Sequence, residues 1–413
     1  MRTRLALATL TLAAALVAGV TAASAGQAAR AADPGVTPTS ILLGGTTPLS
    51  GPYSAFSSVA RGADAYFDYV NARGGVNGRK ISYTYVDDAY NPAQTIQAMR
   101  TLVEQDKVFA VFNALGTEHN LLVRDYLNAA GVPHLFAASG STTLGLDAAR
   151  YPYSIGFQPS YRAEGWMYGK FLARTRPGSR VAVLFQNDDY GKDLLNGLKQ
   201  GMHRSKVKVV AAEPYETTAF DVQAQVASLR SSGADVFAIF AAGKFAIQAY
   251  VIANKLGWRP KLVINNVVSS ASNVMLLASE GGTNRTVQGS VSGVFLKDPT
   301  DPKWAKDPAM RLYRTVMARY AKGANARDVY HVYGMAAAYT LVRVLERAGA
   351  NLTRAGVMKQ VRSLNIASNP FLLPGITIKT GGSDQFPIEQ MQLQRWEGKA
   401  WRAFGGLWGY RAA

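Results

Sequence analysis

Cysteine is absent from all 413 residues. That excludes disulfide staples, thiolate metal sites, a cysteine nucleophile and a lipid anchor carried on cysteine. Histidine is scarce: His119, His134, His203 and His331 are far apart in sequence and fit surface or packing roles better than a metal site. His119 follows the turn LGT (115–117) closely enough to hydrogen-bond near whatever that turn holds. Acidic residues are outnumbered, 27 against 45 basic ones, for a formal net charge of +18. Lys and Arg are scattered singly, as in RPGSR (176–180) and HRSKVK (203–208), without aromatics interleaved along a basic stripe. A solvated basic surface biased towards anions is expected, and a nucleic-acid partner is not.

Long apolar runs are missing too, with one exception. Arg2 and Arg4 precede an apolar stretch from Leu5 to Val20, and Ala23-Ser24-Ala25 supplies small residues suited to cleavage. Residues 1–25 are therefore expected to be a signal peptide and 26–38 a loose leader. The expected location is the periplasm or cell envelope, in soluble form after signal removal, because no later segment approaches ~20 uninterrupted apolar residues. Enzyme signatures are also lacking. No G-x-S-x-G elbow, G-x-x-x-x-G-K-[ST] loop or H-E-x-x-H helix occurs, so no catalytic residue, metal ligand or cofactor is assigned.

What is present is an alternation of strand and helix patterns. ILLGGT (41–46) reads as a buried strand and GPYSAF (51–56) as a loop. Val59, Ala63, Tyr66, Phe67 and Val70 then share a helical face closed by Gly74-Gly75. After the strand ISYTYV (81–86), Asn91 caps a helix that begins with Pro92 and buries Ile96, Met99, Leu102 and Val103. VFAVF (108–112) leads through LGT into a helix, and HLFAA (134–138) into SGSTTLG (139–145). The pattern restarts with a helix near 161–174 and the strand VAVLF (181–185), and runs on to KLVIN (261–265). Residues 304–363 read as mostly helical, and the tail around 387–404 as a closing hairpin. The fold class is α/β, with two similar parallel-sheet lobes.

In open parallel sheets ligands bind beyond the carboxyl ends of the strands, where helix N-termini favour an anion. The turns at 115–117, 139–142, 187–191, 242–245 and 265–270 fall at such ends. One of them, NDDYG, is followed by a third carboxylate, placing Asp188, Asp189 and Asp193 close together. Capping and dipole complementation are their expected work, since a metal site would want further oxygen ligands at regular spacing. Tyr190, expected to be exposed at this turn, is the more interesting residue for function.

From about residue 38 onwards the chain resembles the leucine/isoleucine/valine-type (branched-chain amino acid) substrate-binding proteins of ABC transporters, which are type I periplasmic binding proteins. The matching stretches include GTTPLSGPYSAF (45–56), VNARGGVNGRKI (70–81), VDDAYNPAQT (86–95), AAGVPHLF (129–136), FQNDDYGKDLLNGLK (185–199), LKDPTDPKW (296–304) and LLPGITI (372–378). The resemblance implies two lobes joined by three crossovers, closing on a small molecule like a flytrap. It places the crossovers near 155, 291 and 376. The first lobe is then 39–154 with 292–376, and the second 155–291 with 377–413. It also places a carboxylate grip on Thr117 and on Ala138, Ser139 and Gly140. Aromatic cover falls on Tyr190, Phe56 lies at the cleft edge, and Phe245 and Asn266 come from the second lobe.

One departure matters. Amino-acid binders of this type usually hold the ligand ammonium with an acidic side chain after the strand corresponding to 261–265. Here Asn265, Asn266 and Val267 stand there, with no acid before Glu280. Relatives with similar stretches bind aromatic carboxylates, which need no ammonium partner. The implied role is capture of a small apolar carboxylate, an amino acid or an aromatic acid, by a monomer that delivers it to an ABC permease. One alternative is a ligand-sensing module for a membrane receptor or signalling partner, disfavoured because no transmembrane or signalling segment follows the clamp; a cryptic enzyme is the third reading.

Overall fold

The computed structural model describes residues 33–410, so the expected signal peptide and residues 26–32 of the leader lie outside the described part. β1 (Ser40–Thr47), β2 (Lys80–Asp87), β3 (Ala110–Phe112), β4 (His134–Ala137) and β5 (Ser154–Gly156) form a parallel sheet in the order β2-β1-β3-β4-β5. β6 (Arg180–Gln186), β7 (Lys208–Tyr215), β8 (Val236–Phe240), β9 (Lys261–Ile264) and β10 (Val291–Val294) begin a second sheet, also parallel. β11 (Asn365–Ile366) and β12 (Ile378–Lys379) make a short ribbon. β13 (Gln390–Glu397) and β14 (Ala400–Gly409) are the C-terminal hairpin, added antiparallel to give the order β14-β13-β10-β9-β8-β6-β7.

The strand cores are buried on both faces, which is why they read as unbroken apolar runs: Val181 to Leu184 and Val236 to Phe240 are fully inaccessible. Helices cover both sheets, and both sheets belong to one unit that begins at Pro34. Gly51–Phe56 forms a 3-10 turn started by Pro52, not an open loop. Asn91 caps the helix Pro92–Arg100 as expected, accepting from Ala93 N–H at 3.0 Å. Ile96, however, faces solvent, because that helix turns Met99, Ala98 and Thr95 inward instead.

The chain crosses between the sheets three times. The first crossing runs from β5 through Phe157–Ser160 into the helix Tyr161–Thr175. The second comes after β10, which lies wholly in the second sheet, so the chain leaves that lobe beyond Val294 and not at 291. Residues 377–386 stay with the first lobe, where Phe386 lies against Gly145 so closely that a Cβ there would collide with its ring. The last crossing therefore precedes β13 and falls later than 376.

Candidate functional site

A cleft lies between the carboxyl ends of the two sheets, with about 860 Å³ of space between its walls once the solvent at its mouth is included. Phe56, Val59, Leu115, Gly116, Thr117 and Ala138 line it from the first lobe. Tyr190, Ala242, Asn266, Val267 and Ser269 face them from the second. β10 and β13 contribute Gly293, Val294 and Gln394, the crossings and the residues next to them contribute Gln158, Tyr161, Phe295, Leu296 and Asp298, and the helix Val329–Ala348 contributes Val329, Tyr330 and Tyr333. Asp298 is the one charged side chain among these residues, and among the described residues no Lys, Arg or His lines the cleft.

At one end stands the helix Thr117–Ala129. Its N-cap is Gly116, at φ 115, and a Cβ there would lie 2.3 Å from the His119 ring. Only glycine fits, and glycine has no side chain to cap the helix, so no side chain caps its first N–H groups. Beside them the Thr117 and Ser139 hydroxyls share a buried hydrogen bond of 2.8 Å, and Ser139 Oγ also accepts from Ser141 N–H. Ser139 and Gly140 do not reach the cleft surface. Ser139 bonds the Thr117 side chain, and Gly140 accepts from Tyr161 N–H at 2.7 Å, anchoring the ring that does line the cleft.

Aromatic rings form the walls. Tyr161 meets Tyr190 edge-on at 4.9 Å, and Phe56 meets Tyr330 at 5.0 Å. Tyr190 is not exposed as expected: it is 3 % accessible and its hydroxyl donates to Ala241 O at 2.9 Å. Tyr330 likewise donates to Val267 O, tying the helix to the opposite lobe. Phe245 is a correction. It is fully buried behind the cleft against Tyr215 at 4.6 Å, because the helix Lys244–Lys255 turns it towards its own sheet. His119 packs its ring on Tyr90, another cleft residue, at 4.3 Å.

Asn266 lines the cleft and is held from behind. Glu164, completely buried, accepts from Asn266 N–H at 2.6 Å, from the Asn266 side-chain amide and from Tyr168 O–H at 2.6 Å. Burial pushes the Glu164 carboxyl up to about 7 and that of Asp298 up to about 6. Asp298 gives one oxygen to Thr300, accepting from its N–H and its hydroxyl.

The acidic turn divides its work. Asp188 caps the helix Asp189–Met202, accepting from Gly191 N–H at 3.2 Å. Asp193 does not cap. It accepts from Thr142 N–H of the opposite lobe at 2.8 Å and pairs with Arg162 at 3.4 Å. Among the described residues no group of acids and histidines is arranged to hold a metal ion. Gly243, at φ 54, lets Tyr53 approach so closely that a Cβ would lie 2.8 Å from the ring.

Sequence reasoning missed Gln158, Tyr161, Asp298, Tyr330, Tyr333 and Glu164. Tyr330 and Tyr333 carry a signal, since aromatics three apart at a helix start share one face. Asp298 sits in LKDPTDP, a stretch that marked the family but not the site.

Comparison with known proteins agrees with this architecture. The model of the periplasmic binding protein family matches residues 40–400. The Leu/Ile/Val-binding protein homolog 3 of Brucella melitensis biotype 1 is 26 % identical over 322 residues, which cover 77 % of this chain and 82 % of that one. Among solved structures, a branched chain amino acid ABC transporter protein from Thermus thermophilus with bound valine superposes with a TM-score of 0.80 at 18 % identity, covering 91 % of this chain and 98 % of that one. A fatty acid ABC transporter substrate-binding protein from Thermomonospora curvata gives 0.76 at 22 %, covering 92 % and 95 %. With two parallel-sheet lobes closing on an aromatic cleft and a family match across nearly all the described residues, the chain belongs to the periplasmic binding protein family of solute binders.

Proposed function

We propose that the protein is an extracytoplasmic solute-binding component of an ABC importer that captures a small apolar carboxylate, a branched-chain amino acid or a hydrophobic or aromatic acid, and delivers it to a membrane permease. The observation that carries this reading is the helix start at Gly116-Thr117, which no side chain caps, with the Thr117 hydroxyl beside it, in a cleft walled mainly by apolar and aromatic side chains. Free N–H groups and the helix dipole suit a carboxylate without needing a cation, and the tyrosine and phenylalanine walls suit an apolar remainder. Neighbours of the same fold bind valine or carry the fatty acid name, which brackets the class. Export fits the charged and apolar N-terminal segment, and among the described residues no helix is long and apolar enough to cross a membrane.

Thermal shift against branched-chain amino acids, aromatic acids, short aliphatic acids and their uncharged amides tests it. Ligand bound only to the native state stabilises by RT ln(1 + [L]/Kd), about 2.7 kcal/mol at a hundredfold excess. Acids should shift the transition and their amides should not. Equal shifts for acids and amides would overturn the carboxylate grip.

A further inference from the structure

The second lobe carries an aromatic and basic surface whose groove shares no residue with the cleft. It lies where the helix Tyr161–Thr175 meets the edge strand β14, and Phe171, Arg174, Leu393, Phe404, Leu407 and Trp408 line the groove between them. Trp166, Lys170 and Arg174 recur every four residues and so share one helix face. On β14, alternation and a bulge put Arg402, Phe404 and Trp408 on the side turned to that helix. Trp166 meets Trp408 at 6.1 Å and Tyr410 at 5.3 Å, and Phe171 meets Phe404 at 6.0 Å. Lys170 stands over Trp166, Arg174 over Trp408 and Arg395 over Phe404.

Four of the six tryptophans are buried, and the two left partly exposed, Trp166 and Trp408, are both here. Leu407 beside them is exposed. The neighbouring acids are Glu397, paired with Arg395 at 3.9 Å, Asp301, paired with Arg402 at 3.2 Å, and Glu389, whose carbonyl accepts from Tyr410 N–H. Among the described residues no acid pairs with Lys170, Arg174 or the exposed Arg176 that ends the helix. Half-exposed tryptophan and tyrosine rings beside unpaired cations suit a bilayer interface, where rings settle at headgroup level and cations meet phosphates. A second copy of the chain fits worse. Gly405 and Gly406 have no partner on β13, so the edge strand is bulged where another strand would pair, and two like-charged surfaces would face each other.

We propose that this surface docks the protein reversibly on an anionic phospholipid bilayer. The proposal does not depend on what the cleft holds. Sedimentation of the intact protein with vesicles tests it, comparing phosphatidylglycerol mixed into phosphatidylcholine with phosphatidylcholine alone. Partitioning should be about tenfold or more stronger on the anionic vesicles. Each basic residue near such a surface is worth about fivefold, so Arg174→Gln with Arg176→Gln should weaken partitioning about twentyfold. Lys322→Gln with Arg327→Gln, the same charge loss at exposed positions of the first lobe, should cost less than about threefold. Brominated phosphatidylcholine in the anionic vesicles should quench the tryptophan fluorescence, and Trp408→Phe should remove about half of that quenching. Equal losses in the two double variants would mean diffuse attraction of a basic protein and overturn the proposal. So would an absence of quenching, which keeps the rings out of the bilayer, or no partitioning at all. A dimer seen by light scattering without vesicles, and dissolved by Leu407→Glu, would assign the surface to a second copy and overturn it too.

Discussion

Thr142 and Asp193 lie on opposite lobes, and the backbone N–H of the first donates to the carboxylate of the second across 2.8 Å. Neither residue lines the cleft. A bond of this kind contributes to closure without touching the ligand, and its strength reaches the ligand through the population of the closed state. Asp193→Ala should weaken every ligand by a similar factor, about tenfold or more if this buried bond to a charged group is worth roughly 1.5 kcal/mol. Scattering of the liganded variant should show a larger radius of gyration at sub-saturating ligand. A loss confined to one ligand class would instead place Asp193 in recognition.

Gly243 makes the same point by crowding. Its φ of 54 already disfavours any other residue, and an alanine Cβ would stand 2.8 Å from the Tyr53 ring and 3.0 Å from Pro52 O on the facing lobe. Gly243→Ala should hold the lobes apart, lowering affinity about tenfold or more for all ligands, with a stability cost of about 1 kcal/mol from backbone strain. Unchanged affinity in calorimetry would mean that Tyr53 yields easily.

Thr117 and Tyr190 separate polar grip from wall. Thr117→Val preserves volume but removes the hydroxyl from a bond to a charged group, worth roughly 1.5–3 kcal/mol, so carboxylates of any size should lose about tenfold or more. Tyr190→Phe removes a hydroxyl already engaged with Ala241 O. Ligand affinity should then stay within a few-fold while stability falls by about 1 kcal/mol. A large affinity loss in Tyr190→Phe, measured by titration, would show that the hydroxyl changes partners when ligand arrives.

Glu164 also predicts a pH dependence of stability. Its carboxyl rises from the ordinary 4.5 to about 7 because burial penalises the charge. The native state therefore holds this proton more tightly than the unfolded chain, and between those two values stability falls as pH rises. At about 1.4 kcal/mol per pH unit the full effect is on the order of 3 kcal/mol. Asp298, raised to about 6, acts in the same direction as Glu164, and His134, lowered to about 3 by burial, acts in the opposite direction at acid pH, so the wild-type profile alone mixes their effects. The difference between wild type and Glu164→Gln isolates Glu164: denaturant titrations should show the variant gaining on the wild type from pH 4 to pH 8. A constant difference across that range would count against the buried, shifted carboxyl.

The strands that carry the first grip were visible because their apolar runs stop at small, hydroxyl-bearing turns, and Thr117 and Ala138 do line the cleft. Phe56 and Asn266 were found from the order of matching stretches, not from any local pattern. Phe245 was misplaced by helix rotation, which a turn sequence such as AGKF does not reveal. Glu164 and Asp298 were invisible for a different reason. Each is an isolated acid in a helix start or a proline-flanked turn, and only the crossings bring it near Asn266 or Tyr330. The search for an acid after β9 looked along the chain, whereas Glu164 approaches from 102 residues upstream.

The interleaving of the lobes has a consequence for how such a binder can change. No single junction in the gene separates a grip from a wall, since the first lobe resumes after β10 and the second resumes at β13. A recombination event that exchanged everything beyond Val294 with a relative would bring in a foreign Tyr330 wall and a foreign edge hairpin together, against the resident strands β6 to β10. Loss of the final twenty or so codons would strip β13 from β10 and leave that strand's backbone edge open to pairing with other chains. New specificity in this scaffold should therefore arise by point substitution within the turns, while cut-and-paste inheritance succeeds only when the two separate segments of a lobe travel as a set.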